Sequence, residues 1–288
     1  MKASEKQELT KKLVARLEKQ FGRSPEASER SVLDTLVYAV CLENENYASA
    51  EQASDALHEH FHDLNEIRVS SISELSTAFR HQSDPELRAH RVRSLLQFVF
   101  EDQFEFDLEP IRKKTQEQAA KKLGKIRDLS PFVRNYVQQA ALGAHLVPLD
   151  DRMTAAAVWF GLVEPGTTTE AAAEALKPAV RKADAPVFCH LLRKLTTEPP
   201  GRSVFDPAKF SVPEGGYSAD DAVRRVDDLL RGKTRGATKA KPARAERSDK
   251  KPVAKASTKQ PAKKAKTASA KRPTAEKKSK SGRSRAAS

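Results

Sequence analysis

The chain is poor in the residues that define several large protein classes. Two cysteines, Cys41 and Cys189, occur in 288 residues. That is too few for a disulfide framework, and too few for a four-cysteine zinc or iron–sulfur centre within one chain. No apolar run approaches the roughly 18 residues that a membrane-spanning helix needs, so no membrane association is expected. The opening MKASEKQELTKK holds no apolar stretch of the secretory-signal kind, and a soluble intracellular protein is expected. Glycines are sparse up to residue 231 and unclustered apart from Gly215-Gly216, so no phosphate-cradling glycine loop is present. No segment sustains the period-two alternation of a half-buried strand.

Positive charge is also missing from most of the chain, although the net charge is +13. Residues 232–288 hold 20 Lys and Arg against three acids (Glu246, Asp249 and Glu276), which leaves 32 basic and 36 acidic residues in 1–231. The first 231 residues therefore carry about −4, and the surplus lies in the C-terminal segment. That segment is almost entirely Lys, Arg, Ala, Pro, Ser and Thr, with Val253 its one large aliphatic residue. Such a composition cannot bury enough apolar surface to offset its conformational entropy, so disorder is expected. It resembles the tails of linker-histone-like proteins. Its cations, among them Lys263, Lys264, Lys266, Lys271, Arg272, Lys277, Lys278 and Lys280, suit a salt-dependent grip on double-stranded DNA through counterion release. A place on the nucleoid of a bacterial cytoplasm, or in a nucleus, fits such a tail.

What is present in 1–231 is helical periodicity. Val32, Leu33, Leu36, Val37 and Val40 form an apolar stripe, as do Ala53, Ala56, Leu57, Phe61 and Leu64, and Val92, Leu95, Leu96 and Val99. Start signals stand at Thr115, at Thr167 with Glu170 three residues on, and at Ser218 with Asp221 three residues on. Breaks fall at Gly22–Pro25, Ser83–Pro85, Ser130–Pro131, Val147–Leu149, Glu164–Gly166 and Pro199–Pro213. The pattern predicts an all-α fold of about ten helices over 1–231.

Two motifs have plainer readings than their chemistry suggests. His58-Glu59-His60-Phe61-His62 satisfies H-E-x-x-H, which places two histidines on one helical face for zinc. No third ligand follows at a recognisable spacing, so a solvated helix end is expected and no metal. Cys41 and Cys189 sit in apolar surroundings, where a thiol behaves as a small hydrophobe.

The informative stretch is 117–160. Glu117 to Leu123 reads as helix, and Ile126 to Ser130 as a turn. Pro131-Phe132-Val133-Arg134-Asn135-Tyr136 opens a second helix, and Leu146-Val147-Pro148-Leu149 is a loop. Asp150-Asp151 stands where a further helix begins, and there a carboxylate can cap free N–H groups. Helix, hairpin, helix, Gly/Pro-containing loop and aspartate together resemble the endonuclease III superfamily of helix–hairpin–helix DNA glycosylases. The likeness extends over about 25–200. Ser31 to Leu57, interrupted at Glu43-Asn44-Glu45-Asn46, is similar to the start of that family's six-helix barrel. Arg88-Ala89-His90-Arg91-Val92 is similar to its Lys-Ala-containing segment, and Val187 to Leu195 falls where a late helix belongs.

The resemblance implies a two-lobed glycosylase fold, base excision repair and duplex DNA as partner, with the protein acting as a monomer. It implies that Asp150 stabilises the oxocarbenium-like sugar as the base departs. The base would be flipped into a pocket between the lobes. Asn44 would wedge the gap, and Pro131, Phe132, Val133, Arg134, Asn135 and Tyr136 would line or anchor the DNA. Asp151 is an alternative to Asp150, since neighbours at a helix start point about 100° apart.

Three departures narrow the chemistry. The position of the family's Schiff-base lysine is Asn135, which cannot form an imine, so a monofunctional hydrolase without lyase activity is expected. Lys121 or Lys122 on the preceding helix is a conceivable substitute. The family hairpin Leu-Pro-Gly-x-Gly is replaced by Ser130-Pro131-Phe132-Val133, which removes N–H groups and flexibility from a phosphate site. Thr196-Thr197-Glu198-Pro199-Pro200 brings no cluster cysteines, and no cofactor is expected. The alternative is a catalytically inactive relative tethered to DNA by its basic tail. A helical protein whose tail serves other acidic partners is a third reading.

Overall fold

Side-chain oxygens start most of the helices. Ser31, Asn46, Asp63, Ser71, Thr115, Ser130, Asp150 and Thr168 each accept the backbone N–H three residues ahead. Each such cap contributes about 1 kcal/mol. The computed structural model describes residues 1–23 and 29–232, and these fall in one compact unit. The basic-segment residues Lys263, Lys264, Lys266, Lys271, Arg272, Lys277, Lys278 and Lys280, and the disorder expected around them, lie outside the described residues.

Among the described residues the structure is all helical. In chain order α1 is Ala3–Phe21, α2 Val32–Leu42, α3 Tyr47–His60, α4 Leu64–Val69, α5 Ile72–Ser76, α6 Pro85–Gln103 and α7 Gln116–Leu123. Then follow α8 Pro131–Ala140, α9 Asp151–Trp159, α10 Thr169–Leu176, α11 Ala185–Thr197, α12 Gly201–Val204 and α13 Ala222–Leu230. Thirteen helices replace the ten expected because α4, α5 and α12 are too short to leave a periodic signature.

Two hydrophobic cores define two lobes. The first is built from α2 to α8, with Leu36, Val40, Leu57, Phe79, Leu95, Leu96 and Val137 at its centre. The second is built from α9 to α13 and takes in α1, whose Leu13 and Leu17 pack with Trp159, Phe160, Phe188 and Leu192. The chain thus begins in the second lobe, builds the first and returns. Arg16 on α1 pairs with Asp227 on α13, closing that circuit.

Some local expectations shift. Thr168, not Thr167, caps α10, and α13 starts behind Asp221 rather than Ser218. The helix carrying His58 ends at His60, so His62 does not share its face. No cluster of His, Cys, Asp or Glu suited to a metal occurs among the described residues.

Candidate functional site

Between the lobes lies a cavity of about 330 Å³, at the small end of the range for small-molecule pockets. Its first-lobe wall is aromatic: Tyr38 on α2, Tyr47 on α3, and Phe132 and Tyr136 on α8. The second lobe supplies Met153 from α9 and Cys189, His190 and Arg193 from α11. The Tyr47 hydroxyl is 3.1 Å from Nδ1 of His190, and the two rings stand 5.1 Å apart. Burial pushes the His190 imidazolium down to about 4, helped by the Lys194 and Arg193 charges, so the ring is neutral at physiological pH. Burial also holds the Tyr38, Tyr47 and Tyr136 hydroxyls protonated. The Cys189 thiol is pushed by burial up to about 12, too high for a nucleophile at neutral pH. The cavity is an aromatic slot whose lining also holds three arginines, Arg30, Arg112 and Arg193, and no carboxylate.

Asp150 stands behind this wall and is not among the residues that line the cavity. It is the N-cap of α9, with Oδ1 accepting the Met153 N–H at 3.0 Å. Its Oδ2 accepts the Asn44 backbone N–H at 3.0 Å and the Arg193 guanidinium at 2.8 Å. Both residues are only 2% exposed. Arg193 also donates to the carbonyls of Leu42 and Glu45 at 2.8 and 2.9 Å, and its guanidinium lies over the Phe132 ring at 4.8 Å. Burial opposes the Arg193 charge most strongly, but the Asp150 carboxylate, its hydrogen bond to Arg193 and the Tyr47 and Tyr136 hydroxyls together outweigh it, so the net effect favours the charged form. The pair is an internal ion pair of about zero net charge, with every carboxylate oxygen engaged.

Asn44 is held in the same network. Its backbone is left-handed at φ 60°, its Nδ2 donates to Asp151 at 3.2 Å, and its Oδ1 accepts the Arg152 N–H at 3.4 Å. The side chain therefore braces the start of α9 instead of projecting as a wedge. Asp151 is exposed, held between Asn44 and the Thr169 hydroxyl.

The hairpin between α7 and α8 corrects part of the expected DNA surface. Phe132 and Val133 are buried in the first core, because their turn of α8 faces α2. The Val133 N–H is turned from any phosphate and donates to Ser130 Oγ at 3.1 Å, and Pro131 has no N–H. Arg134 pairs with Glu170 at 3.3 Å, Asn135 is half-buried, and Tyr136 lines the cavity. Lys121 is exposed and Lys122 pairs with Asp102 at 2.8 Å. Neither lysine lines the cavity.

Arg193, Tyr38 and Tyr47 were not singled out from the sequence. Arg193 left no signal: it lies about 150° around α11 from the apolar stripe of Phe188, Leu191, Leu192 and Leu195, where a charge reads as solvent-facing.

The fold has known counterparts. A non-covalent endonuclease III–DNA complex superposes with a TM-score of 0.55 at 13% identity, over 78% of this chain and 98% of the other. A trapped endonuclease III–DNA covalent intermediate gives 0.52 at 14%, over 66% and 85%. A Clostridium acetobutylicum 8-oxoguanine glycosylase/lyase, bound to duplex DNA with cytosine opposite 8-oxoguanine, gives 0.51 at 12%, over 66% and 68%. No protein-family model and no curated protein sequence matches the chain. The chain has the helix–hairpin–helix DNA-glycosylase fold.

Proposed function

We propose that this protein uses the glycosylase fold to bind double-stranded DNA as a monomer, and that it does not hydrolyse the glycosidic bond through Asp150. One observation carries the second half of this reading: the buried Asp150–Arg193 pair. Departure of a base leaves positive charge on the sugar, and a carboxylate accelerates that step only if its negative charge is uncancelled. A guanidinium at 2.8 Å cancels it. Asn135 offers no amine for the covalent alternative. DNA binding is supported by the fold it shares with proteins solved on DNA, and by the cationic composition of residues 232–288. Such a protein needs no cofactor and belongs on the nucleoid or in a nucleus.

A second reading rests on the aromatic cavity. Tyr38, Tyr47 and Tyr136 form a slot between the lobes, where an extruded base would stack, and Asp150 stands one helix start away. In that reading the protein is a monofunctional glycosylase and Arg193 must release Asp150 when DNA binds.

The two readings separate in one experiment. The full-length protein is incubated with duplexes carrying uracil, oxidised pyrimidines, alkylated purines or mismatched adenine, with binding followed by anisotropy and base release by alkali cleavage. Binding without alkali-labile sites is the expected result. Alkali-labile sites overturn the non-hydrolytic reading, and their loss in Asp150→Asn assigns the chemistry to that carboxylate. Nicking without alkali, trapped by borohydride, points instead to an amine such as Lys121 or Lys122.

A further inference from the structure

We infer that a basic groove beside the hairpin takes the phosphate backbone of duplex DNA, in place of the glycine amides that the hairpin lacks. This inference rests on the DNA-binding reading above. The groove is an open trough of about 820 Å³ on the first lobe. Arg68 of α4 and His90 and Arg93 of α6 form one side, and Lys125 and Arg127 of the turn between α7 and α8 form the other. The acids along it are Glu101 and Asp128, so the cations are in excess even with a neutral histidine. Asp128 faces His90, with Oδ2 3.9 Å from Nδ1.

Among the described residues other exposed cations, such as Lys11, Lys12 and Lys182, also stand beyond ion-pair distance of a carboxylate, but the groove gathers four, Arg68, Arg93, Lys125 and Arg127, around one trough with two acids. Among the described residues no carboxylate lies within ion-pair distance of Arg93, Lys125 or Arg127. Arg68 is held but not neutralised: it donates to Asn65 Oδ1 at 2.7 Å and Gln97 Oε1 at 2.8 Å, and lies 4.3 Å over the Phe100 ring. Like charges collected in one trough repel one another and destabilise the fold unless an anion joins them. Guanidinium groups spaced along a trough match a repeating line of phosphates better than a single small anion. Two of the cations sit on the hairpin turn itself, next to the amides that Pro131 and Ser130 have removed from service.

The test compares full-length wild-type protein with Arg93→Glu/Lys125→Glu/Arg127→Glu. A control reverses three exposed second-lobe lysines, Lys11, Lys12 and Lys182. Duplex affinity is measured across salt, thermal melting verifies folding, and hydrogen exchange maps protection on the bound duplex. Each lost phosphate contact lowers the slope of log affinity against log salt by about 0.9, so the groove variant should lose about 2–3 and the control much less. Wild-type protection should cover residues 88–101 and 124–130. Protection elsewhere in 1–232 with an unchanged slope overturns the groove and leaves the DNA-binding reading standing. Absence of any protection in 1–232 removes that reading for the folded body as well. Equal slope losses in the control and groove variants reduce the effect to net charge and overturn the groove.

Discussion

Two buried arginines grip the loop between α2 and α3 from opposite lobes, and they do so with different partners. Arg88, on α6, donates to the carbonyls of Val40, Glu43 and Ser83, with the Glu45 carboxylate standing off at 3.7 Å. Arg193, on α11, donates to the carbonyls of Leu42 and Glu45 but also meets the Asp150 carboxylate directly, at 2.8 Å. Burial weakens the charged form of Arg88, whereas the opposing charge of Asp150 restores that of Arg193. The first arginine is thus a clamp within one lobe, solvated by peptide dipoles. The second reaches across the lobes to loop carbonyls, and its charge is met within its own lobe by Asp150, the aspartate from which catalysis was expected.

The comparison predicts unequal costs. Arg193→Met leaves Asp150 buried and uncompensated, and should destabilise the protein by about 3–5 kcal/mol. Adding Asp150→Asn keeps an oxygen acceptor at the cap of α9 while removing the orphaned charge, so the double variant should recover part of that loss. Arg88→Met abandons carbonyls rather than a full charge and should cost less, about 2–3 kcal/mol. Denaturant unfolding at neutral pH measures all three. If Arg88→Met proves the more damaging, the Asp150–Arg193 pair is the weaker of the two anchors, and Arg193 holds Asp150 too loosely to silence it.

How much of this was legible beforehand differs between the fold and the site. The helices were readable because α2, α3 and α6 carry their apolar residues at helical spacing, and Thr115, Ser130 and Asp150 are capping residues placed before such runs. The order helix, hairpin, helix, loop, aspartate was enough to suggest the architecture. The state of the site was not readable. Asp150 caps α9 locally, by accepting an N–H three residues ahead, but its charge is cancelled from 43 residues away by Arg193. Long-range pairing of that kind leaves no periodic trace. The burial of Phe132 and Val133 was hidden for the opposite reason, since a hairpin motif without its glycines resembles any helix start.

A smaller effect concerns pH and probes the cavity between the lobes. His190 is held down to about 4 in the folded protein, against an ordinary value near 6.5. Between those values the unfolded chain binds the proton that the folded chain refuses, so stability falls as pH drops below about 6.5 and levels off near 4. Because the ring is only half-buried, the loss should be on the order of 1–2 kcal/mol. Melting temperature followed from pH 7 to pH 4 (about that span suffices) should show a component that disappears in His190→Gln. A variant with an unchanged pH profile places the titration elsewhere, and the interlobe wall is then wetter than its packing implies.

The smallest expected effect separates the aromatic wall from the buried ion pair. Tyr47→Phe removes the hydroxyl 3.1 Å from His190 Nδ1 but keeps the ring, and it touches neither the Asp150–Arg193 contact nor the loop carbonyls. One neutral hydrogen bond at the rim of a cavity that admits water is worth about 0.5–1 kcal/mol, so the melting temperature should scarcely move. If the cavity receives an extruded base, the same substitution should weaken binding to a duplex with an unpaired or damaged base more than to an intact one, because only the former enters the slot. Equal affinities for both duplexes in wild-type and variant would mean that the folded body meets DNA from outside, through its cations alone.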